Sequence, residues 1–353
     1  TIDERAFNWC VNLKQIVFTD ESKLESVGEL VIANTSIEIF QIPSHVNDLD
    51  IHFLYGADHM IHVEVSQMNN HYTYYNDNLL IKTGGYDDGL LMFARKDIEN
   101  AVIPAFVTKI EKRAFTDRDR LKSVTFQIDR GSMSKLLEID DDAFDGCSAL
   151  EEVSLPVTIT RIGNHAFDCC RQLKHVNFIH SDGVAPALEV IGDHAFSHCE
   201  KLAEFNVPTS VKTIGKYAFN DCWNMSSISF TSEDRQSQLE RISNFAFSHC
   251  TSLVEFSVPP SCIHIDNSAF NECHKLETLM IPDDSHLETI GTAFIAGTLI
   301  KLLSIPASVT DISEAYNAKA EKLKSVKVSS KNKHYKSIRW NPYIKVKNTC
   351  LIQ

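Results

Sequence analysis

The sequence predicts a repeat solenoid, mostly β with short helical turns. Three observations predict it: a recurring Ala-Phe pair, an isoleucine before each pair, and a short alternating apolar stretch after it. The Phe of the nine pairs is Phe7, Phe115, Phe144, Phe167, Phe196, Phe219, Phe247, Phe270 and Phe294. From Phe115 onward the steps are 29, 23, 29, 23, 28, 23 and 24 residues. Degenerate copies place Ile32, Leu54 and Tyr316 in the same slot, so we expect about twelve coils.

Each coil has three elements. An aliphatic residue lies five before the Phe, as at Ile162, and Gly, Asp or Ser follows it, which fits the cap of a single helical turn. After the Phe comes L-x-x-V-x-F, whose alternation predicts a short strand with one face inward. Proline often follows, as at Pro208, and stops the strand because it has no N–H to donate.

Stacking explains why such coils are stable. One coil cannot bury its apolar face alone, whereas stacked coils bury a continuous core. Because one register runs through the whole chain, we interpret residues 1–353 as a single solenoid, with the Phe rings in one column.

Two segments depart from the period. Residues 66–100 stretch one step to 61 residues and predict a β-hairpin insertion, with apolar stretches on both sides of the turn-prone residues 84–89. Residues 329–353 resemble that insertion, so we expect them to begin a second copy, in a chain that is a segment of a longer protein.

Composition excludes several classes of function. The 353 residues carry 34 Lys+Arg against 47 Asp+Glu, a net charge of −13, which argues against nucleic acid as a partner. No apolar run reaches the roughly 18 residues that span a bilayer. Only 13 glycines are present, and no glycine-rich phosphate loop or nucleophile-elbow motif occurs.

The cysteines and histidines predict no metal, cofactor or catalytic site. Seven of ten cysteines occupy the slot three after the Phe, where stacking arranges them in a row of small buried thiols. A straight row cannot provide four converging zinc ligands, and parallel Cβ vectors disfavour disulfides. His165 and His194 share a slot in adjacent coils, and we interpret them as solvated or capping residues. We therefore expect no enzyme activity.

The pattern I-[GDS]-x-x-A-F-x-x-C-x-x-L-x-x-V-x-[VF]-P resembles the BspA-like leucine-rich repeat family of bacterial and protist surface proteins. The resemblance covers essentially the whole chain. It implies a leucine-rich-repeat solenoid, curved and right-handed, with a parallel sheet on the concave face. It also implies a non-enzymatic role in adhesion or ligand binding at the cell surface or after secretion.

The candidate binding surface combines the sheet face with the insertion. Outward residues lie eight and ten after each Phe, and a broad polar face of this kind suits a protein or extracellular-matrix ligand. Its residues are His62, Glu64, Glu152, His175, Asn177, Glu204, Asn206 and Glu255, joined by Tyr72, Tyr74 and Tyr86 of the insertion. Two alternatives stay open: any solvated sheet face has this composition, and the insertion tyrosines could simply pack the hairpin. A cytoplasmic scaffold or structural repeat protein is the alternative function; the oligomeric state is not predicted.

Overall fold

The computed structural model describes residues 1–19, 21–50, 52–85, 88–127, 134–179, 184–230, 236–337 and 344–346. Within them the chain is a parallel β-solenoid without helices, which confirms the predicted fold class. The first strands are β1 (Ser26–Val27), β2 (Ile39–Ile42), β3 (Asp48–Leu49) and β4 (His62–Val65). The insertion contributes β5 (Tyr72–Tyr75), β6 (Leu79–Lys82) and β7 (Leu90–Ala94).

The insertion separates a short N-terminal block of coils, β1 to β4, from a longer C-terminal block. The strands of the longer block and of the C-terminal hairpin follow. The strands to Asn206 are β8 (Asn100–Ile103), β9 (Lys109–Ile110), β10 (Ser123–Phe126), β11 (Glu138–Ile139), β12 (Glu152–Pro156), β13 (Arg161–Ile162), β14 (His175–Ile179), β15 (Val190–Ile191) and β16 (Glu204–Asn206). The rest are β17 (Thr213–Ile214), β18 (Ser227–Ser229), β19 (Arg241–Ile242), β20 (Glu255–Ser257), β21 (His264–Ile265), β22 (Thr278–Met280), β23 (Thr289–Ile290), β24 (Leu302–Ile305), β25 (Asp311–Ile312), β26 (Ser325–Val328), β27 (Tyr335–Ser337) and β28 (Ile344–Val346).

Each coil contributes to two parallel ladders. The predicted strands form the first, in which β10, for example, pairs with β8 and β12. The second ladder consists of two-residue strands, each of which ends at the isoleucine that precedes the Phe position of its coil. This ladder runs from β25 to β9, and β9 pairs with β7 of the insertion. Sequence reasoning missed this second ladder because a two-residue strand is too short to show an alternating pattern.

The interior contains the predicted column of Phe rings. Six consecutive ring pairs from Phe115 to Phe270 have centroids 4.6–5.6 Å apart, and five of these pairs lie within 8° of parallel. The rings are fully buried. A second layer tilts against the column, in which Phe256 contacts both Phe247 and Phe270 at 5.2 and 4.6 Å. Burial of these aromatic rings in successive coils supplies a large part of the core.

The segment around each Phe, which we call the corner of the coil, is not the helical turn that we expected. Two residues in most coils adopt positive φ there, as at His165 (53°) and Cys169 (58°). This conformation aims alternate amides along the stack, so Phe167 N donates to Ala195 O at 2.8 Å. A Cβ at Gly192 would lie 2.6 Å from the carbonyl carbon of Gly163, so close approach of coils requires glycine here, where we expected a helix cap.

The cysteine row is a hydrogen-bonded ladder. Each thiol donates to the Phe carbonyl of the preceding coil, as Cys170 Sγ does to Phe144 O at 3.2 Å. We call this the cysteine ladder; its members are Cys147, Cys170, Cys199, Cys222, Cys250 and Cys273. All six are buried and free. In the coil of Phe115 the slot holds Arg118, whose Nε donates to Ala94 O at 2.8 Å.

Two coils place their repeat residues differently from the expectation. Phe294 was expected in the ring column, but Phe270 N donates to Phe294 O, the position that Ala occupies in other coils. The buried Ile295 therefore takes the column slot, one residue later. In the third coil Phe53 is fully buried, whereas Leu54, which we expected there, is half-buried.

The insertion is a three-stranded antiparallel meander between two cores. β6 pairs with β5 on one side and with β7 on the other, and β7 continues into the parallel ladder through β9. Leu80 and Phe93 belong to the N-terminal hydrophobic cluster, whereas Leu79 and Ile81 belong to the C-terminal one. The buried core thus consists of two clusters that meet at the meander.

The same cap ends both blocks of coils. Asn69 Nδ2 donates to Pro43 O and Val46 O, and its Oδ1 accepts from the amides of His71 and Tyr72. The Tyr72 hydroxyl accepts from Leu49 N at 2.9 Å. Asn332 and Tyr335 repeat every one of these contacts 263 residues later, with Tyr335 Oη accepting from Ile312 N at 3.0 Å. We call this arrangement the Asn-Tyr cap.

Candidate binding surface

The outward residues of the long-strand ladder form a polar face. Strand alternation places Val153 and Phe205 in the core, so that the residues on either side of each point away from it. Six of the expected surface residues are exposed on this face, namely Glu152, His175, Asn177, Glu204, Asn206 and Glu255. Glu152 pairs in register with His175, and Glu204 with Ser227, so a carboxylate alternates with a neutral or titratable side chain along the stack.

A shallow groove lies where β14 meets β16. Its volume is about 270 Å³, and its lining includes His175, Asn177, Glu204 and Asn206. The sheet is interrupted here, since β14 ends the ladder that begins at β8 while β16 pairs only with β18. Ser229 Oγ donates to Asn206 Oδ1 at 2.9 Å and closes one side of the groove. The groove offers carboxylate, amide and imidazole groups together.

The insertion joins the face at its N-terminal end. The His62 and Tyr74 rings stack with centroids 6.4 Å apart, and Gln41 Nε2 donates to Glu64 Oε2 at 3.0 Å. His62 Nε2 lies 3.9 Å from Glu64 Oε1. The structure thus brings together His62 and Glu64 of the sheet and Tyr74 of the insertion. Burial raises the pKa of the Tyr74 hydroxyl well above its usual value, so it remains protonated.

Tyr72 does not belong to this surface. Its side chain is only 2% exposed and bonds the backbone as part of the Asn-Tyr cap, so its role is structural. Tyr86, the third tyrosine expected here, lies outside the described residues.

Three exposed apolar residues lie on or next to the long strands, and the sequence analysis did not single them out as contact residues. Val254, Met280 and Leu302 are 47%, 45% and 54% exposed on neighbouring coils. Met280 and Leu302 occupy the outward positions of β22 and β24, where polar residues are the rule elsewhere. The signal was the break in that rule. Exposed apolar residues on the same face as a polar groove are a frequent composition for a protein-binding surface.

Two clusters that share Asp168 have metal-binding residue types: His165 with Asp168 and His194, and Asp145 with Asp168 and Cys169. Ligand atoms of His165, Asp168 and His194 lie within 4.8 Å of one another, and His165 Nδ1 is 2.9 Å from Asp168 Oδ2. The two imidazole rings stack face to face with centroids 4.5 Å apart, so an ion in the plane of one ring lies outside the plane of the other. Tetrahedral zinc with bonds of about 2.1 Å needs donors roughly 3.4 Å apart. As arranged, the first cluster is a hydrogen-bonded His165–Asp168 pair beside a ring stack.

The cysteine ladder has no nucleophilic character. Burial raises the pKa of Cys147 and of Cys273 to about 12, so the thiols stay protonated at neutral pH. Cys169, half-buried next to Asp168, has its pKa raised to about 11 by burial and by that carboxylate. The six cysteines of the ladder therefore act as small hydrogen-bonded core residues.

None of the described segments forms a helix with the length and apolarity needed to cross a bilayer.

Comparison with known proteins supports the repeat assignment. The model of the BspA type leucine rich repeat region, in six copies, matches residues 1–83, 90–226, 183–284 and 229–339. A leucine-rich repeat protein from Eubacterium ventriosum is similar in structure, with a TM-score of 0.62 and 24% identity over 76% of this chain. One from Bacteroides ovatus has a TM-score of 0.53 and 25% identity over 72%.

The chain spans slightly less than two thirds of these two structures, 66% and 62% of their lengths. Among curated proteins no match was found. The family match covers nearly the whole chain, and the ring column, the cysteine ladder and the parallel stack agree with it. This chain therefore belongs to the BspA-type leucine-rich repeat family.

Proposed function

We propose that this chain is a non-enzymatic binding module that recognises a protein or extracellular-matrix ligand at the cell surface or after secretion. The observation that carries the proposal is the outward face of the long strands, which bears a polar groove at β14 and β16 and exposed apolar residues on β22 and β24. Such a face offers many weak contacts at the strand spacing of about 4.8 Å, which suits an extended partner better than a small substrate.

The negative charge of the face favours a partner with basic side chains. The exposed carboxylates Glu152, Glu204 and Glu255 lie on every second coil, and the chain carries a net charge of −13. A partner with basic side chains at matching intervals would gain from complementary charge. The apolar contacts would come from Met280 and Leu302. We further propose that the meander of residues 66–100 extends this face through Tyr74, and that residues 329–353 begin a second such module.

The test uses surface plasmon resonance against a panel of immobilised, purified extracellular-matrix proteins. The double variant Glu204→Arg with Asn206→Arg reverses the charge of the groove, and it should weaken binding at least tenfold. Glu240→Arg is the matched control, because this exposed glutamate directly precedes β19 in the other ladder. Absence of binding to the whole panel, or equal binding by both variants, would contradict the proposal.

A scaffold inside the cell is the second candidate, and the cysteines favour it. All nine cysteines in the described part of the chain are free, as expected where thiols are kept reduced. Fractionation of cells that express the full-length protein distinguishes the two proposals. Recovery in the surface or secreted fraction supports the binding module, whereas recovery only in the cytosol supports the scaffold.

A further inference from the structure

We propose that the cavity at the junction of the two blocks of coils binds a small oxyanion, such as a carboxylate, sulfate or phosphate group. The cavity has a volume of about 250 Å³ and lies between the corner of the third coil, the end of β7 and the corner of Phe115. It is separate from the sheet face discussed above. Three features support the proposal: the charge of the walls, the unpaired amides and the fixed guanidinium group of Arg118.

The walls of the cavity are basic in an acidic protein. Lys96, Lys112, Arg113 and Arg118 line it. Asp58 and Asp117 are the carboxylates in the lining, so cations outnumber anions two to one, whereas the whole chain has 34 basic against 47 acidic residues. Concentrated positive charge in a concave site raises the local potential and attracts anions.

The backbone adds donors of the same kind. In ordinary coils the corner amides bond to the next coil, as Phe167 N does to Ala195 O at 2.8 Å. After the third coil the meander replaces that partner. Within the described part of the chain, the amides of Leu54 and Gly56 donate no hydrogen bond, and both residues line the cavity. Unpaired amides near a cationic wall are a common feature of anion sites.

Arg118 is held in place without a carboxylate partner. Its Nε donates to Ala94 O at 2.8 Å and its Nη1 to Thr116 O at 2.5 Å, while the guanidinium lies 4.9 Å from the Phe93 ring centroid. No carboxylate of the described residues lies within 4 Å of it. Burial lowers the pKa of this guanidinium, as expected for a cation removed from water. A bound anion would supply the missing charge.

The neighbouring cations are more exposed, and each of them already has a partner. Arg113 lies 4.1 Å above the Tyr55 ring, and it shares Asp142 with Lys112 at 3.3 and 3.7 Å. Lys96 Nζ donates to the backbone carbonyl of Asp58. Because these pairs are partly exposed to solvent, an anion can compete with Asp142 for Lys112 and Arg113. The volume suits a molecule the size of one sugar ring, and Leu54, Met60 and Met92 provide apolar contacts for its carbon skeleton.

The test is isothermal titration calorimetry of the full chain at low ionic strength with sodium sulfate, sodium phosphate and sodium glucuronate. We expect saturable 1:1 binding of at least one of them, with sodium chloride at matched ionic strength giving no heat of binding. Sulfate and phosphate that bind as tightly as glucuronate indicate a site for a free oxyanion. Glucuronate that binds at least tenfold more tightly indicates a site for an acidic sugar.

The variants attribute the binding to this cavity. Lys112→Gln with Arg113→Gln should weaken it at least tenfold, and both residues are on the surface, so that the fold is retained. Lys174→Gln is the control, since this exposed lysine pairs with Glu151 on the sheet face. Circular dichroism checks that both variants are folded. No saturable binding of any of the three anions, or an equal loss in both variants, would overturn the proposal.

Discussion

Removal of one ring from the Phe column tests the physical basis of the fold. Phe247 is fully buried between Phe219 and Phe270, with centroid distances of 5.4 and 5.6 Å, and Phe256 packs on it at 5.2 Å. Phe247→Ala leaves a cavity inside a rigid stack that cannot close around it. We expect it to lower the free energy of unfolding by about 3–5 kcal/mol, as measured by urea titration followed by circular dichroism.

The same coil provides a matched control. Phe245 lies two residues earlier at positive φ, and its half-buried ring stacks on Tyr217 outside the core at 4.7 Å. Phe245→Ala loses one stacked pair, worth about 0.5–1.5 kcal/mol, and creates no interior cavity. A loss below about 1 kcal/mol for Phe247→Ala, or equal losses in the two variants, would refute the assignment of the column as the main source of stability.

Three further predictions concern the corner, the cap and the thiols. Burial, and after it the negative charge of Asp168, raises the pKa of Asp145 to about 6. Because this pKa is higher than in the unfolded chain, the contribution of Asp145 to the free energy of unfolding should fall as pH rises from 4 to 6. Asp145→Asn should therefore stabilise the protein at pH 7 by about 1–2 kcal/mol and leave it nearly unchanged at pH 4, as measured by urea titration at both pH values. Asn69→Ala removes four hydrogen bonds of the Asn-Tyr cap and should cost about 2–4 kcal/mol in thermal unfolding; a loss below 0.5 kcal/mol, on the order of a surface substitution, would contradict its role. With a thiol reagent, the exposed Cys10 should react in the native protein and the cysteine ladder only after unfolding; reaction of ladder thiols at the rate of Cys10 would show that the core opens readily.

The elements of the fold that are marked by the same residue type in every coil could be predicted from the sequence. Phe, Cys and the alternating strand recur at fixed offsets, and stacking then follows because one coil cannot bury its own apolar face. The one-residue shift at Phe294 was overlooked because Ala293-Phe294 imitates the pattern, although Ile290 lies four residues before Phe294 and five, the usual spacing, before Ile295.

The corner conformation could not be predicted from local preference. His165, Tyr217 and Phe245 adopt positive φ, which bulky residues rarely do in isolation. Hydrogen bonds along the stack impose this conformation, and such bonds appear only when the coils are assembled. The two-residue ladder was missed because strands this short show no alternating pattern.

The candidate site was predictable only in outline. Alternation identified the outward residues, but the groove depends on the interruption between β14 and β16, which is a property of the assembled sheet. Tyr72 was misassigned because a hydroxyl that caps a distant backbone amide has no signature in the sequence. The basic cavity joins residues from three segments and has no motif at all.

The duplicated Asn-Tyr cap has a consequence for how proteins of this design change in length during evolution. Asn69 and Asn332 close their blocks through local contacts with the preceding coil and with their own amides. A gene duplication that adds whole coils upstream of either asparagine leaves both sets of contacts intact. Descendants can therefore grow or shrink by whole coils while each terminus of a block stays sealed from water.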